Sequence, residues 1–267
     1  MPLPSLLFVT NLQNSDPEED VFLSKYLRGT FNVQVTSPSE AVTLLPMAER
    51  CLIRNAWPSR IFVDEFTKIE QISTLGKVRF YNPFHRRGYL ENKAYLLDLY
   101  RQGYPVIPTV TSSQEIDQLP ESEKYIIKPN NGCSSFGVES LTKQEVLERA
   151  LQGYLIQPEV DLLDELSFYF IDNTFAYAMV SAGKDRRWEL EEYHPTRQEI
   201  EWAEKFVQWN NLRYGLQRID AVRTRTMELL LMEVEDTMPM LTLFDLSELR
   251  RTQVLECFVQ SLIKNLG

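Results

Sequence analysis

Two residue types on which many enzymes depend are scarce in this chain of 267 residues: histidine occurs twice and cysteine three times. His85 and His194 leave few candidates for a histidine-dependent triad or a histidine-rich metal site. Cys51, Cys133 and Cys257 form no metal-binding spacing, and their odd number favours a reducing cytoplasm. The sequence therefore directs attention to lysine, arginine and carboxylate chemistry.

Long apolar segments and an excess of positive charge are missing too. No apolar run approaches the ~18–20 residues that span a bilayer, and the N-terminus lacks the basic segment of a secretory signal. The net charge of −10 opposes nonspecific nucleic-acid binding, because phosphate contacts need a basic surface. We therefore expect a cytoplasmic protein with neither a membrane nor nucleic acid among its partners.

Strand and helix patterns alternate over the first 82 residues, which predicts a small parallel α/β layer. The predicted strands are Ser5–Thr10, Phe31–Thr36, Arg50–Arg54 and Lys77–Tyr81, and the predicted helices begin near Asp16, Ser37 and Arg60. The break at Asn82-Pro83 marks a domain boundary. We therefore predict domains 1–82 and 83–267, the second with subdomains of about 83–153 and 154–267, in a chain of mixed α/β and α+β class.

Capping signals and alternation place the elements of the second domain. Helices are predicted from Leu90 to Gln102, from the Thr142 capping box to about Gly153, from the Thr196 capping box to about Asn210, and after Asp245 or Ser247. The alternating residues from Ser167 to Val180 predict a hairpin that turns at Asp172-Asn173.

A second hairpin carries the strongest chemical signal. Strands are predicted at Gln217–Val222 and Met227–Glu235, joined by Arg223–Thr226. Glu233 and Glu235 share one strand face, and an antiparallel fold-back brings Asp220, 13 residues before Glu233, alongside them. Three converging carboxylates suit Mg²⁺, which prefers hard oxygen ligands. A solvated acidic rim explains the three acids, taken alone, equally well.

Two lysines and a loop of small residues are candidates for phosphate binding. Lys128 ends an apolar strand, and the loop after it contains Ser134, Ser135 and Gly137, whose backbone can approach phosphate oxygens closely. No Walker motif is present. Lys93 is predicted in the first turn of a helix, where the helix dipole disfavours a cation. Binding of a phosphate would explain a lysine at this position, and the alternative is a solvated lysine.

These motifs resemble the ATP-grasp ligases, the superfamily of D-alanine–D-alanine ligase and glutathione synthetase. The resemblance is carried in order by Lys93, Ile-Lys128-Pro with the Ser/Gly loop, Arg218-x-Asp220 and Glu233-x-Glu235. The commonest family pattern ends in Glu-x-Asn. The Glu-x-Glu form is closer to the branch that contains the cyclo-ligase of D-cycloserine biosynthesis.

The resemblance implies roles for further residues. It implies two Mg²⁺ ions on Asp220, Glu233 and Glu235, with Arg218 on the phosphorylated intermediate. It implies ATP on Lys93, Lys128 and the loop, with Glu165 on the ribose. The adenine would lie at the hinge formed by Gln157, Pro158, Glu159 and Val160. Lys184 is implied as a catalytic contact, and Arg54 and Arg187 as substrate contacts, although a surface arginine explains Arg54 equally well.

The favoured hypothesis is an ATP-dependent ligase that joins a carboxylate to an amine through an acyl phosphate. Its expected substrates are small, amino-acid or peptide-like molecules, and a homodimer is left open. A noncatalytic nucleotide-binding regulator with the same fold is the alternative, supported by Glu235 at the usual asparagine position. A serine hydrolase using Ser134 or Ser135 has little support, because a G-x-S-x-G elbow is missing.

Overall fold

The computed structural model describes residues 2–13, 18–54, 62–88, 93–131, 135, 137–181 and 189–267. In its N-terminal part, four strands form a parallel sheet in the order β2-β1-β3-β4. The strands are β1 (Ser5–Val9), β2 (Asn32–Thr36), β3 (Arg50–Ile53) and β4 (Arg79–Tyr81), and the helices are α1 (Glu18–Leu27), α2 (Pro38–Leu44) and α3 (Val63–Thr74). The predicted parallel α/β layer is therefore confirmed.

A small antiparallel sheet follows, in the order β6-β5-β7. It consists of β5 (Tyr125–Pro129), β6 (Glu139–Leu141) and β7 (Tyr154–Pro158), accompanied by α4 (Tyr95–Arg101) and α5 (Lys143–Glu148). The Thr142 hydroxyl accepts the Glu145 N–H while the Glu145 carboxylate accepts the Thr142 N–H, so α5 begins at the predicted capping box.

The largest sheet is antiparallel and has the order β10-β9-β8-β11-β12. Its strands are β8 (Leu162–Ile171), β9 (Thr174–Ser181), β10 (Leu190–Tyr193), β11 (Leu216–Thr224) and β12 (Leu229–Glu235). The β8–β9 turn has φ of 49° at Asp172 and 64° at Asn173, the twisted two-residue turn that asparagine and aspartate tolerate. Helix α6 (Arg197–Asn210) packs its apolar face on β11 and β12.

The last helix, α7 (Glu248–Leu266), returns to the N-terminal sheet. It shares a core with β1 and α1, in which Phe8 and Phe258 are fully buried. The Ser261 hydroxyl lies 2.5 Å from that of Tyr81 in β4, and Arg50 of β3 donates to the carbonyl of Leu266. The division of the chain at residue 82 stays a prediction.

Three element boundaries differ from expectation. Helix α4 begins at Tyr95, so Lys93 precedes it; residues 89–92 lie outside the described residues. Helix α5 ends at Glu148 because only Val146 of its six residues is buried, which leaves little packing to extend it towards Gly153. The metal hairpin turns at 225–228 instead of 223–226, with Met227 at φ 67°.

A short segment joins the two antiparallel sheets. Val106 pairs with Leu231 of β12, and Val110 pairs with Ile156 of β7. The chain crosses back between the same sheets from Pro158 to Leu162. The two sheets face each other on the side of β5 and β12, where Lys128 lies near Glu233, and the space between them at this point is called the cleft. No helix in the described ranges is long and apolar enough to cross a membrane.

Candidate active site

The register of β11 and β12 gathers four charged residues at one end of the hairpin. Asp220 lies directly opposite Glu233, and Arg218 lies opposite Glu235. Residues opposite each other in an antiparallel pair share a face, as do residues two apart on a strand. The register shifts after Asp220, which leaves Met232 as the extra residue of a bulge. The fold-back predicted from sequence is therefore present.

Two cations compensate the three carboxylates. Arg218 donates from Nε to Asp220 Oδ1 at 2.8 Å and from Nη2 to Asp220 Oδ2 at 2.9 Å. Its Nη2 also lies 2.9 Å from Glu235 Oε1, and Lys93 Nζ lies 2.7 Å from Glu233 Oε1. Ser167 of β8 donates to Asp220 Oδ1 at 2.7 Å. The solvated-rim alternative is weakened, because all three acids are at least partly buried and paired.

The negative charge of Glu235 is costly in this buried position. Burial is the largest cause that raises the pKa of Glu235 to about 7; Arg218 opposes the shift, while Asp220 and Glu233 add to it. A bound cation stabilises the charged form of a buried carboxyl group, so a divalent cation would oppose this shift as well.

The three acids of the hairpin offer a donor set of oxygen atoms to a metal ion. Aspartate and glutamate oxygens are the hard ligands that this ion prefers. Across the described ranges, no three histidine, cysteine, aspartate or glutamate side chains are gathered closely enough to hold a metal ion. The carboxylates are instead turned to Lys93 and Arg218. The residues fit Mg²⁺ in chemistry, and these two cations occupy oxygens that the metal would use.

Lys128 at the end of β5 approaches the same acids from the opposite sheet. The pKa of Lys128 is lowered to about 8, mainly by burial and also by the nearby charge of Lys93, while Glu233 opposes the shift. The Lys93 N–H donates to the carbonyl of Asn130, the first residue of the loop after β5, at 3.0 Å. Both lysines therefore converge on the acidic end of the hairpin; their predicted contact with phosphate stays a prediction.

The described part of the small-residue loop adopts left-handed backbone conformations. Ser135 has φ 58° and Gly137 has φ 72°. A Cβ at Gly137 would come within 2.9 Å of Pro129 Cγ, so only glycine fits there without a shift. Ser134 lies outside the described residues.

The hinge predicted at Gln157–Val160 leads out of β7. The Gln157 side chain is buried and donates to Thr109 Oγ1 at 2.7 Å, and the Glu159 N–H is committed to the carbonyl of Lys124 at 2.9 Å. A groove of about 560 Å³ borders three of the hinge residues. Its lining includes Pro158, Glu159, Val160, Tyr100, Tyr104 and Leu230.

Glu165 lies on the strand face that carries the acids. It is opposite Val222 of β11 and opposite Ser181 of β9, and it is two residues from Ser167, the residue bonded to Asp220. The structure therefore aligns the ribose candidate with the metal candidates along one face of the sheet.

Arg54 is buried, which excludes the surface-arginine alternative. Its Nη2 donates to Glu19 Oε1 at 2.7 Å, its Nε to Asp20 Oδ1 at 3.3 Å, and its Nη1 to the Pro239 carbonyl at 2.5 Å. Arg54 thus ties α1 to the segment after β12. Lys184 and Arg187 lie outside the described residues.

That segment, Pro239–Leu243, was not singled out by sequence reasoning. Glu19 accepts the N–H groups of Leu241 at 2.9 Å and Leu243 at 3.1 Å, and Arg218 donates to the Met240 carbonyl at 3.2 Å. Thr242 has φ 49°, an uncommon conformation for a β-branched residue.

A buried polar network supports the end of β12 from behind. Arg86 Nε donates to Asp236 Oδ1 at 2.9 Å, and both side chains are 1% exposed or less. Asn210 donates to Asp236 Oδ2 at 2.9 Å, and Asn82 donates to the Asp236 carbonyl. Asp236 follows Glu235 directly, so this network fixes the strand end that presents the acids. Its partners are distant in sequence, and no local motif indicated it.

Comparison with known proteins gives a match in sequence over part of the chain. No protein-family model matches it. The cycloserine biosynthesis protein DcsG of Streptomyces lavendulae is 28% identical over 110 residues, and the match covers 33% of this chain and 37% of that protein. The match in sequence thus spans little more than a third of the length of this curated relative.

Solved structures match along nearly the whole chain. The D-cycloserine synthetase DcsG has a TM-score of 0.79 at 20% identity, covering 98% of this chain and 99% of that one. The ATP-grasp ligase PsnB, complexed with its minimal precursor, Mg and ADP, has a TM-score of 0.69 at 14% identity, covering 100% and 99%. The D-alanine–D-alanine ligase from Bacillus anthracis, complexed with ATP, has a TM-score of 0.66 at 11% identity, covering 100% and 99%. The chain therefore has the ATP-grasp fold, as its sequence predicted.

Proposed function

We propose that this chain is an ATP-dependent carboxylate–amine ligase. The observation that carries the proposal is the meeting of Asp220, Glu233 and Glu235 with Lys93 and Lys128 where the two antiparallel sheets face each other. Hard oxygen ligands beside two lysines suit a magnesium–nucleotide complex. Solved ligases of the same fold, described as complexed with Mg and ADP or with ATP, support this assignment.

The proposed reaction has two steps. The terminal phosphoryl group of ATP passes to a substrate carboxylate, giving an acyl phosphate and ADP. An amine then attacks the acyl carbon, the C–O bond to phosphate breaks, and an amide, inorganic phosphate and a proton result. Such catalysis rests on positioning and on stabilising the charge of the transferred group.

Each group of charged residues has a place in this reaction. Lys93 and Lys128 bind phosphate oxygens, and Arg218, held by Asp220, stabilises the charge on the acyl phosphate. The carboxylates of Asp220, Glu233 and Glu235 would hold Mg²⁺, up to two ions. The metal, when bound, neutralises phosphate charge.

The remaining assignments follow the path of the nucleotide through the cleft. We place the adenine against the backbone of Gln157, Pro158, Glu159 and Val160, the ribose at Glu165, and the phosphates under the loop of Ser134, Ser135 and Gly137. Arg54 is proposed as a substrate-carboxylate contact, which requires it to exchange one of its two acidic partners. Lys184 and Arg187 stay predictions.

The substrate class is inferred from fold and chemistry. Structures of the same fold are described as a D-cycloserine synthetase and as ligases or a macrocyclase complexed with precursor peptides. We infer that both substrates are amino-acid or peptide-like. We place the reaction in the cytoplasm, supported by free thiols at Cys51 and Cys257.

Trapping the intermediate tests the ligase proposal. Purified protein with MgATP should release ADP only when a carboxylate is supplied, because the carboxylate is the phosphoryl acceptor. Hydroxylamine should convert the acyl phosphate to a hydroxamate, measured by its iron(III) complex across a panel of amino acids and peptides. MgATP binding without ADP release across that panel would favour the regulator instead.

Lys128→Met should weaken ATP binding about 10- to 150-fold, the effect of losing a charge-assisted hydrogen bond of about 1.5–3 kcal/mol. Calorimetry measures this change. The matched control is Lys124→Met, which removes the same charge from an exposed position just before β5 and should leave the affinity unchanged.

The lowered pKa of Lys128 adds a pH dependence. At and below pH 7 the Lys128 side chain is protonated, so the affinity of the wild-type protein for ATP should not change with pH in that range on account of Lys128. Above pH about 8 Lys128 loses its proton in the free protein, whereas a bound phosphate keeps it protonated. ATP binding should therefore take up a proton and weaken as pH rises. Lys128→Met should show neither effect; identical pH profiles for both proteins would contradict the assignment.

A further inference from the structure

One buried hydroxyl has no hydrogen-bond partner among the described residues. Ser181, the last residue of β9, is 1% exposed, and its Oγ is the unpaired atom. Leaving a buried hydroxyl unpaired is costly, so such groups call for an explanation.

Two of the other unpaired buried atoms have a local explanation. Asp164 Oδ1 and Arg223 Nε also lack a hydrogen bond, yet they lie 3.5 Å from each other in an ion pair. Asp164 and Arg223 are the chain neighbours of Glu165 and Val222. Because successive residues of a strand point to opposite faces, this ion pair lies on the face of the sheet away from Glu165. Ser181 has no such neighbour among the described residues.

Strand register shows which face of the sheet carries the Ser181 side chain. Ser181 lies directly opposite Glu165, and the next pair on the same face is Met179 with Ser167. The Ser167 hydroxyl bonds to Asp220, which identifies this face as the one that carries the acids. Ser181 therefore lies beside Glu165 on the face that carries the acids.

We propose that the Ser181 hydroxyl binds a ribose hydroxyl of the nucleotide, together with Glu165. This inference rests on the proposed function, because it needs a nucleotide in the cleft. Side chains directly opposite each other have Cβ atoms about 4.5–5.5 Å apart, a spacing at which a hydroxyl and a carboxylate can share a vicinal diol. Phosphates belong nearer Lys93 and Lys128, which lie with Glu233.

Ser181→Ala separates a ligand contact from a structural one. Because the hydroxyl has no hydrogen-bond partner among the described residues, its removal should leave the melting temperature unchanged or raise it. It should weaken MgATP binding about 3- to 10-fold in calorimetry, the effect of one lost hydrogen bond. One of the two nucleotides 2′-deoxy-ATP and 3′-deoxy-ATP lacks the ribose hydroxyl that Ser181 contacts. The variant and the wild type should bind that nucleotide with equal affinity.

Ser261→Ala is the matched control. Ser261 is also a buried serine, but its hydroxyl donates to Asp172 at 2.7 Å and lies 2.5 Å from the Tyr81 hydroxyl. Its removal should lower the melting temperature and leave MgATP affinity unchanged.

The outcomes distinguish the two proposals. Wild-type protein that fails to bind MgATP overturns both. Wild-type binding with a destabilised Ser181→Ala variant of unchanged affinity overturns only the Ser181 assignment. An affinity loss that persists with both deoxynucleotides overturns the ribose contact and leaves nucleotide binding in place.

Discussion

Glu233→Gln is expected to reduce Mg²⁺-dependent turnover by about 10²–10³-fold, comparable to the loss of a principal electrostatic contact to a transition state. Glu233 is the acid that faces Asp220 across the hairpin and pairs with Lys93. Glutamine keeps the shape but supplies only a neutral oxygen, so metal affinity falls and Lys93 loses its partner. Hydroxamate formation as a function of Mg²⁺ concentration measures the effect.

The stability of the same variant should change little. Removing the charge relieves repulsion with Glu235, whose pKa is raised mainly by burial and further by Glu233, but leaves the ammonium of Lys93 without its carboxylate. The two effects oppose each other, so we expect a change within about 1 kcal/mol. Glu256→Gln, an exposed position on α7, is the control for the charge change. Full turnover of Glu233→Gln at limiting Mg²⁺ would refute the metal assignment and, with it, the ligase.

Arg86→Met is expected to give the largest loss of stability, about 3–5 kcal/mol in urea denaturation at pH 7. The Asp236 carboxylate is 0% exposed, and Arg86 is its cationic partner at 2.9 Å. Without Arg86 a buried charge remains uncompensated. The double variant Arg86→Met/Asp236→Asn should recover part of the loss, because no buried charge remains.

Acidification should reduce the difference in free energy of unfolding between Arg86→Met and the wild type. Burial already raises the pKa of Asp236, and Arg86 opposes that shift. Losing Arg86 raises the pKa further, so the folded variant binds a proton more readily than the unfolded chain, and its stability recovers as pH falls. Arg197→Met, at a 91% exposed side chain, should change stability by less than about 0.5 kcal/mol. An equally small effect of Arg86→Met would show that the network does not support β12.

Local rules predicted much of the fold and the core of the site. The pairing of Asp220 with Glu233 follows from strand periodicity and a short link, and the helix starts at Thr142 and Thr196 follow from reciprocal capping. These features depend on residues within about fifteen positions of each other. Interactions over such short separations can be predicted from the local sequence.

Contacts between distant segments were not predictable in the same way. Arg54 appears in the sequence as a lone arginine after a strand, yet its partners are 34, 35 and 185 residues away. The Gln157 side chain donates a hydrogen bond to Thr109, 48 residues earlier, and no sequence motif predicts this contact of the hinge residue. Burial of these groups is decided by tertiary packing, which periodicity does not encode.

The return of α7 to the N-terminal sheet has a consequence for synthesis on the ribosome. Tyr81 completes the sheet, but the helix that covers it begins at Glu248. At about 5–20 residues per second, translation needs on the order of 10–30 s to make the intervening chain. During that interval Leu6, Phe8 and Tyr81 lack the apolar partners that α7 later supplies. The nascent N-terminal layer therefore exposes this apolar surface to solvent until α7 has been made.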